Sequence, residues 1–267
     1  MGRFLRDVYV KNVTLDEDAL EVISEFFVER SNGINSQLPN NGKDDKRQVF
    51  LTYVIRFDNK GYRLFHIDDV LKYYKQAKIV ERIIFTIESG DSISTSRLLG
   101  THMELRLDAK DNNNCFFGVS GEDSDWVDSA FNGVMDIITK NTNKNAFIRN
   151  NWTQFLVQIV GVVAGFIISL WAGIKIAPHL AFENAFVVSF LFAFLVFSNV
   201  WTYLNQRILS IINYCFPNLR FYRKGKDKIH WILQALIGGL IVALSLFLLN
   251  KLFSYIGKLL GEFIKSQ

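Results

Sequence analysis

Cysteine is nearly absent. Only Cys115 and Cys215 occur among 267 residues, with no CxxC or Cys/His spacing around either. That excludes a disulfide framework and the common zinc-site patterns. The four histidines, at positions 66, 102, 179 and 230, are scattered and carry no metal-ligand spacing. Also missing are the glycine-rich phosphate loops, the HExxH metal helix and the GxSxG elbow. Without these constellations the sequence points to no catalytic chemistry and no cofactor, and a non-enzymatic protein is expected. The first twenty residues lack the apolar core, about 7–15 residues long, that a secretory signal needs. Gly2 is not followed by Ser or Thr at position 6, which is Arg6, so the myristoylation pattern fails.

The most informative absence is charge. No Asp, Glu, Lys or Arg occurs between Arg149 and Lys175, between Glu183 and Arg207, or between Lys228 and Lys251, leaving uncharged stretches of 25, 23 and 22 residues. A bilayer core about 30 Å thick is crossed by roughly 20 apolar helical residues. Three transmembrane helices are therefore expected, at about 153–174, 184–205 and 230–250. Trp152, Trp171, Trp201 and Trp231 stand near the ends of these runs, where indoles favour the headgroup level. Ionisable residues inside spans mark ion and proton paths, so their absence argues against a pump. Of the polar residues left, Asn199 is expected to hydrogen bond between helices.

The net charge of +4 divides into −3 for residues 1–154 and +7 for residues 155–267. The basic balance thus comes from the flanks of the apolar runs, and the acidic N-terminal part is not expected to bind nucleic acid. Arg207, Arg220, Arg223, Lys224, Lys226 and Lys228 lie between the second and third runs, against Lys175 alone between the first and second. Basic loops stay on the cytosolic side. The expectation is a multi-pass protein of the plasma (inner) membrane with its N-terminal domain and the basic loop 207–228 in the cytosol. Arg220, Arg223, Lys224, Lys226 and Lys228 are candidates for gripping anionic lipid headgroups. Residues 251–267 have amphipathic helical spacing suited to lying on the bilayer surface.

Small residues recur every fourth position in each run: Gly161, Gly165, Ser169 and Gly173; Ala185, Ser189 and Ala193; Ala235, Gly239 and Ala243. Such ridges let helix backbones approach closely, either within one chain or in a homo-oligomer.

Residues 1–140 read as an α+β domain with a mainly antiparallel sheet and three helices, expected to fold alone. Period-2 alternation predicts strands at 49–57 and 103–107, with others near 5–10, 62–66, 79–87 and 115–119. Residues 58–61 and 111–114 are turn candidates. A capping box starting at Thr14 predicts a helix to about residue 30, a second helix covers 68–76, and a third starts near Asp123 with Trp126 and Phe131 facing the core. The acidic cluster Glu122, Asp123, Asp125 and Asp128 suits the positive end of that third helix. Residues 31–47 read as a surface loop and 141–151 as a linker to the membrane. Ser92, Ser94, Thr95 and Arg97 form the one loop whose hydroxyls and cation could cradle an anion.

The expected architecture is therefore an α+β cytosolic domain followed by an all-α bundle of three membrane helices. The matching function is a membrane-held sensor or adaptor that binds a cytosolic protein or small ligand. The alternative is a gated pore or membrane-disrupting effector controlled by the domain, to which an unlined hydrophobic pore is the main objection.

Overall fold

A computed structural model describes residues 3–39 and 46–223, together with single helical positions between 235 and 254. Seven strands and four helices make up the N-terminal part: β1 (Phe4–Tyr9), β2 (Val13–Leu15), α1 (Glu17–Ser36), β3 (Val49–Phe57), β4 (Lys60–Leu64), α2 (Ile67–Gln76), β5 (Val80–Ser89), the short α3 (Gly90–Ser94), β6 (His102–Asp108), β7 (Phe116–Gly121) and α4 (Ser124–Lys140). Six strands form one sheet in the order β1-β7-β6-β5-β3-β4, antiparallel at every pairing. The alternation of β3, β5, β6 and β7 places Tyr53, Ile55, Ile83, Phe85, Ile87, Met103, Leu105, Leu107, Phe117 and Val119 in the core. Helices α1, α2 and α4 pack over the sheet. Phe27 from α1 meets Phe85, whose ring also meets Tyr53 edge-on, both at 5.5 Å.

Local chemistry sets the boundaries. β3 and β4 are joined by Asp58 and Asn59, both at positive φ (48° and 63°), as a tight two-residue hairpin turn requires. Asp58 then accepts the amides of Lys78 and Ile79, which hold its carboxyl below its ordinary pKa. Asp123 caps α4 through the amides of Asp125 and Trp126. Phe131 stacks on Phe117 at 5.5 Å, while Trp126 is only partly buried.

Three expectations are corrected. Thr14 does not cap α1. It lies in β2, a strand that the alternation rule missed because only three residues pair, and Asp16 caps the helix by accepting the Ala19 amide at 2.9 Å. Next, α1 does not stop near residue 30 but runs to Ser36. Its last turn is tied down by Asn35, whose carboxamide bonds both backbone groups of Val49 at 3.0 Å. Finally, residues 141–151 and 207–223 are not free connections, as described below.

Two apolar helices follow: α5 (Asn151–Ile176), capped by Asn150, and α6 (Ala185–Cys215). Both are long and apolar enough to cross a membrane, and only 17% and 11% of their most apolar windows are buried. They pack as an antiparallel hairpin. The buried residues of α5 are Gly161, Gly165, Ser169 and Gly173, the four of its expected ridge. Facing them is an aromatic series on α6. A methyl group on Gly161 would overlap the Trp201 indole, one on Gly165 would overlap Phe197, and one on Gly173 would sit 3.2 Å from Phe186 and Phe190. Ala185 and Ser189 are buried as well. Among the described residues Asn199 makes no bond across helices; its amide donates to Leu195 O of its own helix. α6 continues through the expected loop to Cys215, where Ile212, Cys215 and Phe216 pack with Ile148 and Val157 at the start of α5. Ala235, Gly239 and Ala243 are helical and exposed, and the rest of the third run and the 251–267 tail lie largely outside the described residues.

Candidate functional site

The chain leaving α6 returns to the N-terminal domain. Strand β8 (Leu219–Phe221) pairs in parallel with β2, Val13 opposite Leu219 and Leu15 opposite Phe221. Leu219 belongs to the main core. On its other side β2 meets the segment entering α5: Thr14 donates to Asn141 O, Asn143 donates to Asn12 O, and Val13 bridges Thr142. β2 is thus held between the segment that feeds the hairpin and the strand that leaves it.

Side chains fasten this junction. The buried Asn218 accepts the Asn12 amide at 2.9 Å and donates to Val10 O at 3.1 Å, standing in for a missing strand neighbour. Asn145 donates to Pro217 O. The fully buried Tyr74 places its hydroxyl 3.2 Å from Leu15 O and 2.9 Å from Tyr222 O. Arg223 donates to the carbonyls of Tyr74, Ala77 and Lys78, the negative end of α2. The guanidinium of Arg223, a candidate from the sequence for gripping lipid, is thus bonded to backbone carbonyls of the domain. Arg220 lies opposite Thr14 with its guanidinium 6.0 Å from the Tyr222 ring. Lys224, Lys226 and Lys228 lie outside the described residues.

Beside this junction opens a cleft of about 390 Å³. Tyr9, Lys11 and Asn12 line it from the β1–β2 turn, and Asn112 and Asn113 from the β6–β7 turn. Arg149 and Asn218 complete it from the ends of the hairpin. Among the described residues no carboxylate lines it. The sequence reading missed this site because its residues come from four separated segments, each unremarkable alone.

The loop carrying Ser92, Ser94, Thr95 and Arg97 does not converge on an open space. Ser94 and Thr95 donate to Asp91 O, Thr95 also accepts the Leu99 amide, and Ser92 is buried. Arg97 is spent on two carboxylates, Glu88 at 2.9 Å and Glu104 at 3.0 Å. Glu104 in turn holds Arg106 at 2.7 Å and lies 3.6 Å from the buried His102. Burial alone would raise the pKa of Glu104, but His102, Arg106 and Arg97 outweigh it and bring it down to about 2. Next to this group, Arg82 and Asp108 pair at 2.6 Å. The result is a buried ionic network on a sheet, with its positive charge already answered. Burial and the neighbouring Asp108 raise the pKa of the Cys115 thiol, so it is no ready nucleophile. Among the described residues no group of His, Cys, Asp and Glu is placed to hold a metal ion. Comparison with known proteins finds no matching family model, no matching curated protein and no matching solved structure.

Proposed function

We propose that the chain is a multi-pass membrane protein whose α+β domain faces the cytosol and acts as a sensor or adaptor, binding a cytosolic protein or small ligand and holding or relaying that event at the plasma (inner) membrane. The supporting observation is the clamping of β2 between the two ends of the α5–α6 hairpin. A domain carried merely as cargo needs one flexible tether. Here both ends of the hairpin enter the domain's own strand pairing, so a displacement of the domain is passed directly to the helices. The charge asymmetry across the apolar runs supports the cytosolic side, and the third run supplies the remaining span.

Impermeant thiol labelling in intact cells tests this, with Cys115 and Cys215 replaced by Ser. Probe cysteines at Asn141 and Gly225 are expected to be protected and one at His179 to react. Labelling at Gly225 but not at His179 would place the domain outside and overturn the reading. Equal labelling of all three in a chain that partitions away from membranes would remove the membrane assignment itself.

A further inference from the structure

Among the described residues, two cations and no carboxylate line the cleft at the junction. Among the described residues neither Lys11 nor Arg149 is in an ion pair, although seven other Lys or Arg side chains are. Asp111, in the same turn as Asn112 and Asn113, accepts from the Asn113 amide and from Asn114 Nδ2, and among the described residues it pairs with neither cation. Arg149 is oriented through one nitrogen only: Nη1 donates to Asn213 Oδ1 at 2.8 Å and to Phe216 O at 3.1 Å. Among the described residues nothing uses the Nε–Nη2 edge, which can donate side by side to two oxygens of a planar or tetrahedral anion. A half-buried guanidinium bonded only to neutral groups carries a desolvation cost that an anion would offset.

We propose that this cleft binds a phosphate ester. Arg149 takes two phosphate oxygens along its open edge and Lys11 supplies the second positive charge. The carboxamides of Asn112 and Asn113, which make no other hydrogen bond among the described residues, donate from the facing turn. Asn12 adds a different requirement. Its Oδ1 is buried at the cleft with no partner, and its backbone is fixed at φ 57° with its amide held by Asn218. A bare acceptor repels an anion and asks for a hydroxyl, so the phosphate is esterified to an alcohol carrying a free hydroxyl, as in glycerol phosphate. A volume of about 390 Å³ suits a group of that size.

Two sources share this chemistry: the headgroup of a glycerol-bearing anionic phospholipid, and a free sugar or glycerol phosphate. The lipid source rests on the membrane reading above, because Arg149 immediately precedes the cap of α5. The phosphate chemistry does not rest on it.

The test uses the full chain purified in detergent. Glycerol 3-phosphate is titrated calorimetrically, and retention of phosphatidylglycerol over phosphatidylcholine is read by native mass spectrometry. At least one anionic probe is expected to bind. Lys11→Glu and, separately, Arg149→Lys should each weaken that binding tenfold or more; Lys11 is exposed and its side chain makes no bond among the described residues, so Lys11→Glu should leave the melt unchanged. Asn12→Gly, which keeps the positive φ, should cost a few-fold for glycerol 3-phosphate and nothing for inorganic phosphate. Preference for the lipid assigns the membrane source. Binding of glycerol 3-phosphate alone assigns the soluble one, and that result would stand even if thiol labelling removed the membrane assignment. Binding of neither probe, or binding indifferent to both Lys11→Glu and Arg149→Lys, overturns the site.

Discussion

Phe131 and Trp201 are both large aromatic side chains seated against a neighbouring element, in opposite settings. Phe131 lies inside the domain, stacked on Phe117, with the Arg6 guanidinium 4.1 Å above its ring and Arg6 itself paired to Asp128. Apolar groups point inward there and charge points outward. Trp201 lies on the backbone of Gly161, and the faces of α5 and α6 turned away from the contact carry exposed Phe, Leu, Ile and Val. The domain gains from removing apolar surface from water. The hairpin leaves most of its apolar surface outside, so its helices are held by close approach at glycine and by dispersion with the rings. Two regions of one chain therefore fail to different substitutions.

The largest effect should come from emptying the domain's core. Phe131→Ala is expected to cost about 3–5 kcal/mol, read as a loss of the domain's cooperative melt at a lower denaturant midpoint, with the hairpin intact. A somewhat smaller loss should follow from Glu104→Gln, about 3 kcal/mol, because Arg97, Arg106 and His102 are then left around a neutral group. The same network predicts the acid response. Glu104 has its folded pKa depressed to about 2 from an unfolded 4.5, so its contribution is complete above pH 4.5 and is lost as pH falls toward 2. Melts of the wild type should weaken across that window, and Glu104→Gln should flatten the slope. A wild-type melt insensitive to pH there would show that the network does not stabilise the fold.

Gly161→Ala tests the other region. The added methyl meets the Trp201 ring, and a loss of about 1–3 kcal/mol is expected from the overpacking. Pairing it with Trp201→Ala sharpens the comparison, since the double variant should lose less than the sum of the two. Additive losses would mean that the two residues do not touch. The smallest effect is expected at Asn199→Leu, within about 0.5 kcal/mol, because among the described residues Asn199 bonds only its own helix and is exposed.

The sheet could be read in advance wherever alternation ran for five or more residues, as along β3 and β6, and α4 was legible from its apolar stripe and Asp123. The glycine ridge of α5 was equally legible, because four-residue spacing is a property of one helix. Its partner was not: the aromatics Phe186, Phe190, Phe197 and Trp201 read as ordinary membrane residues until the hairpin sets them against glycine. β2 and β8 were invisible for a related reason. Each is three residues long, and a parallel pair between segments 206 residues apart leaves no periodicity in either. The cleft shares that origin, since Lys11, Asn112 and Arg149 acquire a meaning only once the turns and the hairpin stem converge. Arg97 misled for the opposite reason, since a loop sequence does not reveal that Glu88 and Glu104 stand beneath it.

The late arrival of Leu219 has a consequence for the order of synthesis. The ribosome makes Val13 early and Leu219 only after both apolar helices have been completed. Until then β2 lacks its parallel neighbour, Tyr74 lacks one of its two carbonyl partners, and the C-terminus of α2 lacks Arg223. The nascent domain therefore waits, nearly folded, for the hairpin to be made and its far end to come back. A chain whose hairpin misfolds leaves that gap open, a defect that chaperones and proteases can recognise. The last of these three-residue strands to be made thus completes the domain only when the helices before it bring it back to β2.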